Sequence, residues 1–341
     1  MRKLSSLSGA AVILLGMALG ADAAPPTLIR LAAAVNIGNM LFYAAVDKGF
    51  LARRGFDPKL ELYATGAEMS KALDVGQVDF SVAAISNLPV ALERGLTARA
   101  VSAFTGSAYV KTTDDEVMAI VVRPDSGINS LADLAGKTVG VTFGGTNELY
   151  LQEVLKKNSI PLSAVQRINV PLATPVGLFD TGGVHAMAMF EPQITMMLDK
   201  VKGARLLQRG GGFVCFCSSV HGLPDRVYKD RDATQRLVDA LSETAFWLRD
   251  PKNLDEISVI ASRYIRGLER DIVKRTFKYA SFDPRLGKNT YIVFRKTVEQ
   301  LIEQKKMKAP FDPEKYYDAS FVKRTMERHP EWFKDLPAVK E

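Results

Sequence analysis

Short apolar runs and helically spaced segments alternate along this chain, twice over, and then the alternation stops. Residues 28–35 form an apolar run broken only by Arg30, as a strand buried on both faces requires. Residues 41–54 then carry apolar side chains at helical spacing, and Gly55 ends the pattern. Strands are expected at 58–63, 78–85 and 98–104, with a helix over 67–75 ending at Gly76. Ser86 can cap the next helix, and Pro89 fits its first turn. A second series starts with a strand at 119–122 leading into Arg123-Pro124. It continues with a capping-box pattern from Ser130 to Asp133 and strands at 137–141, 166–170, 184–190 and 204–208. Helices start at Thr146, after two glycines, at Thr174-Pro175 and at Pro192. Such alternation builds mostly parallel, doubly wound sheets.

A last strand is expected at 213–220, after Gly210-Gly211-Gly212. Beyond His221-Gly222 the pattern is helical only, over 234–249, 254–264, 270–280 and 291–303, and a proline-bearing end should wrap the surface. Two α/β units followed by a helical tail imply that the tail returns to the first unit. The expected division is lobe one over 24–122 and 221–341, with lobe two, 123–220, inserted. Residues 119–122 and 213–220 would be the two crossing strands and the hinge.

The first residues set the compartment. Arg2 and Lys3 precede an apolar run over 10–20, and Ala21-Asp22-Ala23 supplies small residues around a spacer. That is the layout of a secretory signal peptide cut after Ala23. The run is shorter than the roughly 20 residues a membrane span needs, and it has no lipobox cysteine. A soluble exported protein, periplasmic and monomeric, is expected. The formal charge of +7 is spread along the chain apart from short clusters such as 305–308, so it reads as a solvated basic surface and no nucleic-acid partner is expected.

The two cysteines, Cys215 and Cys217, fall two apart in an expected strand. Side chains two apart on a strand sit roughly 7 Å from one another, too far to bridge. Two buried thiols or a labile bond are expected. The cysteine and histidine spacing matches no metal motif, and His185 is expected to be packed within a strand. No Ser/His/Asp set or paired-carboxylate motif stands out, so neither catalysis nor a cofactor is expected.

In open parallel sheets ligands bind beyond the carboxyl ends of the strands. Those ends supply Asn36, Asn39, Thr65, Ser86, Asn87, Thr146, Asn147, Thr174 and Glu191, with aromatic Phe42, Tyr63 and Phe143 nearby. A few placed polar groups among apolar walls suit a small-molecule site. The helix opening at Thr146 offers free N–H groups to an oxygen, but no P-loop lysine follows.

Four stretches then resemble one family. Residues 43–56 (YAAVDKGFLARRGF), 72–80 (ALDVGQVDF), 131–141 (LADLAGKTVGV) and Phe190-Glu191-Pro192 are similar to signatures of the nitrate/sulfonate/taurine-type solute-binding proteins of ABC importers. Order and spacing cover residues 28–264. The resemblance implies a two-lobed type II periplasmic-binding fold, with a small ligand held between lobes, hinge closure and docking on an inner-membrane ABC permease. The alternative is a synthase. Thiamine-pyrimidine synthases share this fold and have a cysteine-rich run resembling 214–217. The lysine and histidine they carry near the end of lobe one's third strand have no match in residues 83–88, which favours a binding protein.

The strand ends contain Glu191 and no Arg or Lys. If Glu191 faces the cleft it pairs with a ligand N–H. A pyrimidine-like heterocycle or an amine-bearing organic acid is then expected over nitrate or a simple sulfonate.

Overall fold

The computed structural model describes residues 25–339; the expected signal peptide lies outside the described residues. The chain opens with β1 (Thr27–Ala34), α1 (Met40–Asp47), β2 (Phe56–Tyr63), α2 (Gly66–Asp74), β3 (Phe80–Ala84), α3 (Leu88–Glu93) and β4 (Arg99–Thr105). The first helix stops short of the expected 41–54. Gly49 takes a φ of 69°, a left-handed turn that costs a glycine little, and residues 52–54 form only a 3-10 turn.

The second series holds β5 (Met118–Val122), β6 (Thr138–Val141), α4 (Thr146–Lys157), β7 (Gln166–Asn169), α5 (Pro175–Asp180), β8 (Ala186–Phe190), α6 (Gln193–Lys200) and β9 (Arg205–Arg209). The chain returns through β10 (Ser218–Gly222) to α7 (Pro224–Lys229), α8 (Arg231–Arg249), α9 (Leu254–Tyr264), α10 (Arg270–Thr276), α11 (Lys288–Glu303) and α12 (Ser320–Arg328).

Two five-stranded sheets result, ordered β2-β1-β3-β10-β4 and β7-β6-β8-β5-β9. They are mixed where mostly parallel sheets were expected. Each takes in one strand from a crossover: β10 runs antiparallel to β3 and β4, and β5 antiparallel to β8 and β9. Each sheet has its own apolar core. Leu31, Phe42 and Phe104 pack with Leu237, Phe294 and Phe321 of the tail. Ile120, Tyr150, Phe179 and Met189 build the other core. The tail thus joins the first core, and its end adds a bridge from Tyr317 to Ala100 along the edge strand β4.

The crossover differs from the expected one. β5 lies inside the second sheet, and only residues 218–222 of the return form a strand, in the first sheet. The two passes between lobes therefore run through residues 106–117 and 210–217. Asp114 N donates to Val214 O (3.2 Å) and Phe216 N to Asp114 O (3.0 Å). The buried Asp115 carboxylate accepts from the backbone N–H of Gly212 (3.1 Å), Phe213 (2.7 Å) and Val214 (3.3 Å). Gly106 has a φ of 86°, and a Cβ there would lie 2.6 Å from Cys217 Sγ, so only glycine fits.

Cys215 and Cys217 are joined as a disulfide, so of the two expected forms, two thiols or a bond, the pair takes the bond. The pair lies outside the regular ladder and its Cα atoms are 5.1 Å apart, which removes the strand spacing that argued against bridging. His185 is exposed rather than packed: it sits just before β8, where Nδ1 accepts from Thr138 N (3.2 Å).

Candidate functional site

Between the two sheets lies a cavity of about 910 Å³. It opens at the carboxyl ends of β1, β3, β4, β6 and β8, where the sequence placed the site, and Phe216 to Ser218 of the crossover closes its back. Asn36, Asn39, Thr65, Ser86, Asn87, Phe143, Thr146 and Asn147 line it.

The deep end is made of neutral polar groups fixed by one another. Asn39 Nδ2 donates to Asn36 Oδ1 (3.0 Å), and Ala34 N donates to Asn39 Oδ1 (3.3 Å). Ser86 Oγ, before α3, meets Thr146 Oγ1, at the start of α4, at 2.8 Å; this hydrogen bond joins the lobes. Thr105 and Ser218 hydroxyls pair beside them. Thr65 Oγ1 caps α2 by accepting from Glu68 N (3.2 Å). By contrast no side chain caps α4, whose preceding residue is Gly145. Its first-turn N–H groups stand at the cavity, where the helix dipole favours negative charge. Asn147 is fully buried: Nδ2 donates to Ala188 O (3.1 Å), while Oδ1 has no partner among the described residues. Such an orphan acceptor is costly unless a ligand or water completes it. Phe143, Leu172, Phe190 and Phe216 supply apolar wall, with Phe143 49% exposed.

Four expected residues lie elsewhere. Phe42 is core, edge-on to Phe104 at 4.7 Å. Tyr63 donates to Glu61 (2.8 Å) outside the cavity, and desolvation first, then Glu61, pushes its pKa up to about 12. Thr174 is exposed and donates to Pro171 O (3.2 Å). Glu191 is 0% exposed and turned away from the cavity. It pairs with Arg209 at 2.5 Å and accepts from Thr195 N (3.0 Å). A buried carboxylate needs such a partner, and strand-end position alone could not show that β9 supplies it. With Glu191 removed, the expectation of a nitrogen-bearing ligand loses its basis.

The cavity also contains the cations the strand ends lacked. Lys71 comes from α2, Arg94 follows α3, and Lys305 and Lys306 follow α11. None is at a strand end, so the strand-end rule misses them; the basic cluster over 305–308 was the visible signal. Lys306 Nζ binds Glu148 of α4 at 2.8 Å, and Arg167 binds the same carboxylate at 2.8 Å. Glu148 also accepts from Gly144 N (2.8 Å), which shapes the loop ahead of α4. Further along, Lys156 pairs with Glu303, so the tail touches lobe two through polar contacts.

Among the described residues no group of three or more His, Cys, Asp or Glu could hold a metal, and no helix is long and apolar enough to cross a membrane.

Two lobes around such a cavity are the architecture of periplasmic ligand-binding proteins. The alkanesulfonate-binding protein SsuA of Xanthomonas axonopodis pv. citri, solved with MOPS bound, superposes with a TM-score of 0.73 at 19% identity, over 87% of this chain and 100% of that one. The nitrate-binding protein NrtA of Synechocystis PCC 6803 gives 0.72 at 14% identity, over 92% and 90%. The desulfurization enzyme DszB shares the fold too, at 0.65 and 17% identity, over 89% and 99%. A protein of Brucella abortus (strain 2308) named for binding is 25% identical over 60% of this chain, and the match spans 62% of its own length, less than two thirds. The NMT1/THI5-like sequence profile matches residues 36–253, and the chain belongs to that family.

Proposed function

We propose that this protein is the exported ligand-capturing component of an ABC importer, and that its ligand is a small organic anion. The observation that carries the reading is the Ser86–Thr146 contact at the floor of the interlobe cavity. Groups from both lobes meet there, so a ligand at that point touches both and favours their closure. The uncapped start of α4 and the cations at the rim favour negative charge. The Brucella, Xanthomonas and Synechocystis proteins are all named for binding, two of them for anions. The ligand would then pass, unchanged, to a membrane permease.

A thermal-shift screen of alkyl and aryl sulfonates, carboxylates and amines tests this. Anions should raise the melting temperature, since a ligand at 100 times its Kd stabilises by about 2.7 kcal/mol. Stabilisation by amines alone would reverse the reading.

A second reading is an enzyme on the same scaffold. One observation favours it: the likeness to DszB. It predicts chemical turnover of a bound anion, readable by mass spectrometry of the small molecule.

A further inference from the structure

We infer that the ligand carries a second anionic group, held at the cavity mouth by Lys71, Arg94 and Lys305, with an apolar spacer between it and the buried end. The inference rests on the anion reading above and extends it. The three cations arrive from separate elements, yet all line the same cavity and all are exposed. None of the three side chains has an ion-pair or hydrogen-bond partner among the described residues. Lys306, one residue on, shows the contrast: Glu148 neutralises it. Asp74 is the other acid in the lining, a single charge against three.

Lys305 adds a backbone argument. Its φ is 57°, and Ser159 is the other non-glycine residue with positive φ among the described residues. Lys305 N closes the end of α11 on Ile302 O (2.9 Å), a place where glycine is the usual occupant. A lysine kept in the left-handed region at a cavity rim points to use of its side chain.

The wall between the two ends is apolar, through Phe143, Leu172, Phe190 and Phe216, and the floor is neutral hydroxyl and amide. A cavity of about 910 Å³ is far larger than an inorganic oxyanion fills. One anionic group at the floor leaves the mouth cations without a counterpart. A rigid dianion with an aromatic or alkyl middle satisfies floor, wall and mouth together.

The test is calorimetric titration of the full mature chain with benzene-1,4-dicarboxylate and 4-sulfobenzoate against benzoate and benzenesulfonate. At about 20 mM salt the dianions should bind about tenfold tighter than the monoanions, the sum of a few exposed ion pairs. The gap should shrink at about 300 mM salt, where screening shortens the reach of exposed charges to several ångströms. In a Lys71→Ala, Arg94→Ala, Lys305→Gly triple variant the gap should vanish, the dianions losing about tenfold more affinity than the monoanions. All three sites are exposed, and a melting curve confirms folding. Equal affinities in the unmodified protein would overturn the inference alone. So would a gap that survives in the variant, or equal losses for both classes, which would make the cations a steering field. Binding by neither class would overturn the anion reading itself, and this inference with it.

Discussion

Ser86 and Thr146, sixty residues apart, place their hydroxyl oxygens 2.8 Å from one another and thereby join the two lobes at the cavity floor. Each is nearly buried. A ligand oxygen that enters must share these hydroxyls or replace their mutual bond. Ser86→Ala and Thr146→Val should each weaken binding of the best anion from the screen by about 0.5–1.5 kcal/mol, the scale of a neutral hydrogen bond. The double variant should lose less than the sum, because the two act on one another. Unchanged affinity in both single variants, read by calorimetry, would place the ligand away from this pair.

Glu191 should matter for stability and not for binding. Glu191→Gln keeps shape but removes the charge facing Arg209. The expected loss is roughly 1–3 kcal/mol, below the full cost of orphaning a buried charge. Arg209 is 18% exposed and keeps its bond to Glu116 O (3.0 Å) and its stacking over Tyr279. Denaturant melts and titration on the same variant separate the roles. A fall in affinity with unchanged stability would return Glu191 to the site.

Asp115 anchors the crossover by accepting three backbone N–H groups from residues 212–214. Asp115→Ala leaves those donors unmatched near the buried interface of the two passes. Stability should drop by about 2–4 kcal/mol, as for several charge-assisted bonds lost together. If the crossover also sets lobe closure, ligand affinity falls with it. A variant with native melting and native affinity would show that the carboxylate does not hold the passes together.

His221, in β10, is fully buried, with Nδ1 3.2 Å from the Tyr316 hydroxyl and Nε2 without a partner among the described residues. Burial pushes its pKa down to about 4. The unfolded chain takes up a proton near pH 6.5 that the folded chain refuses until about pH 4. The stability at stake is therefore complete above the unfolded value and declines as pH falls through that window. Between pH 7 and 5 the loss should be roughly 2 kcal/mol. In His221→Asn the pH dependence should flatten by that amount, whatever the variant's own stability. Parallel wild-type and variant curves would assign the acid sensitivity to other groups.

How far the sequence reached depends on which physics each feature obeys. The apolar runs and glycine stops placed most strands within a residue or two, because buried strands and helix ends leave local marks. β1, expected at 28–35, spans Thr27–Ala34. The direction of β5 and β10 left no local mark, since an antiparallel central strand is as apolar as a parallel one, and so the crossover fell in the wrong place. Strand-end logic named Asn36, Ser86 and Thr146, which line the cavity because they lie in or end the loops that follow β1, β3 and β6. The same logic admitted Glu191, whose partner Arg209 sits on a strand the sequence could not place beside it. It missed Arg94 and Lys305, which reach the cavity from a helix end and from the tail.

Native mass spectrometry of the protein, purified gently and without added ligand, tests the central claim most directly. The account predicts a small molecule carried non-covalently, released intact on denaturation, anionic, and absent from a Thr146→Trp variant whose new side chain fills the cavity floor. A mass that stays attached to the chain after denaturation, or a cargo retained by the filled variant, would contradict it.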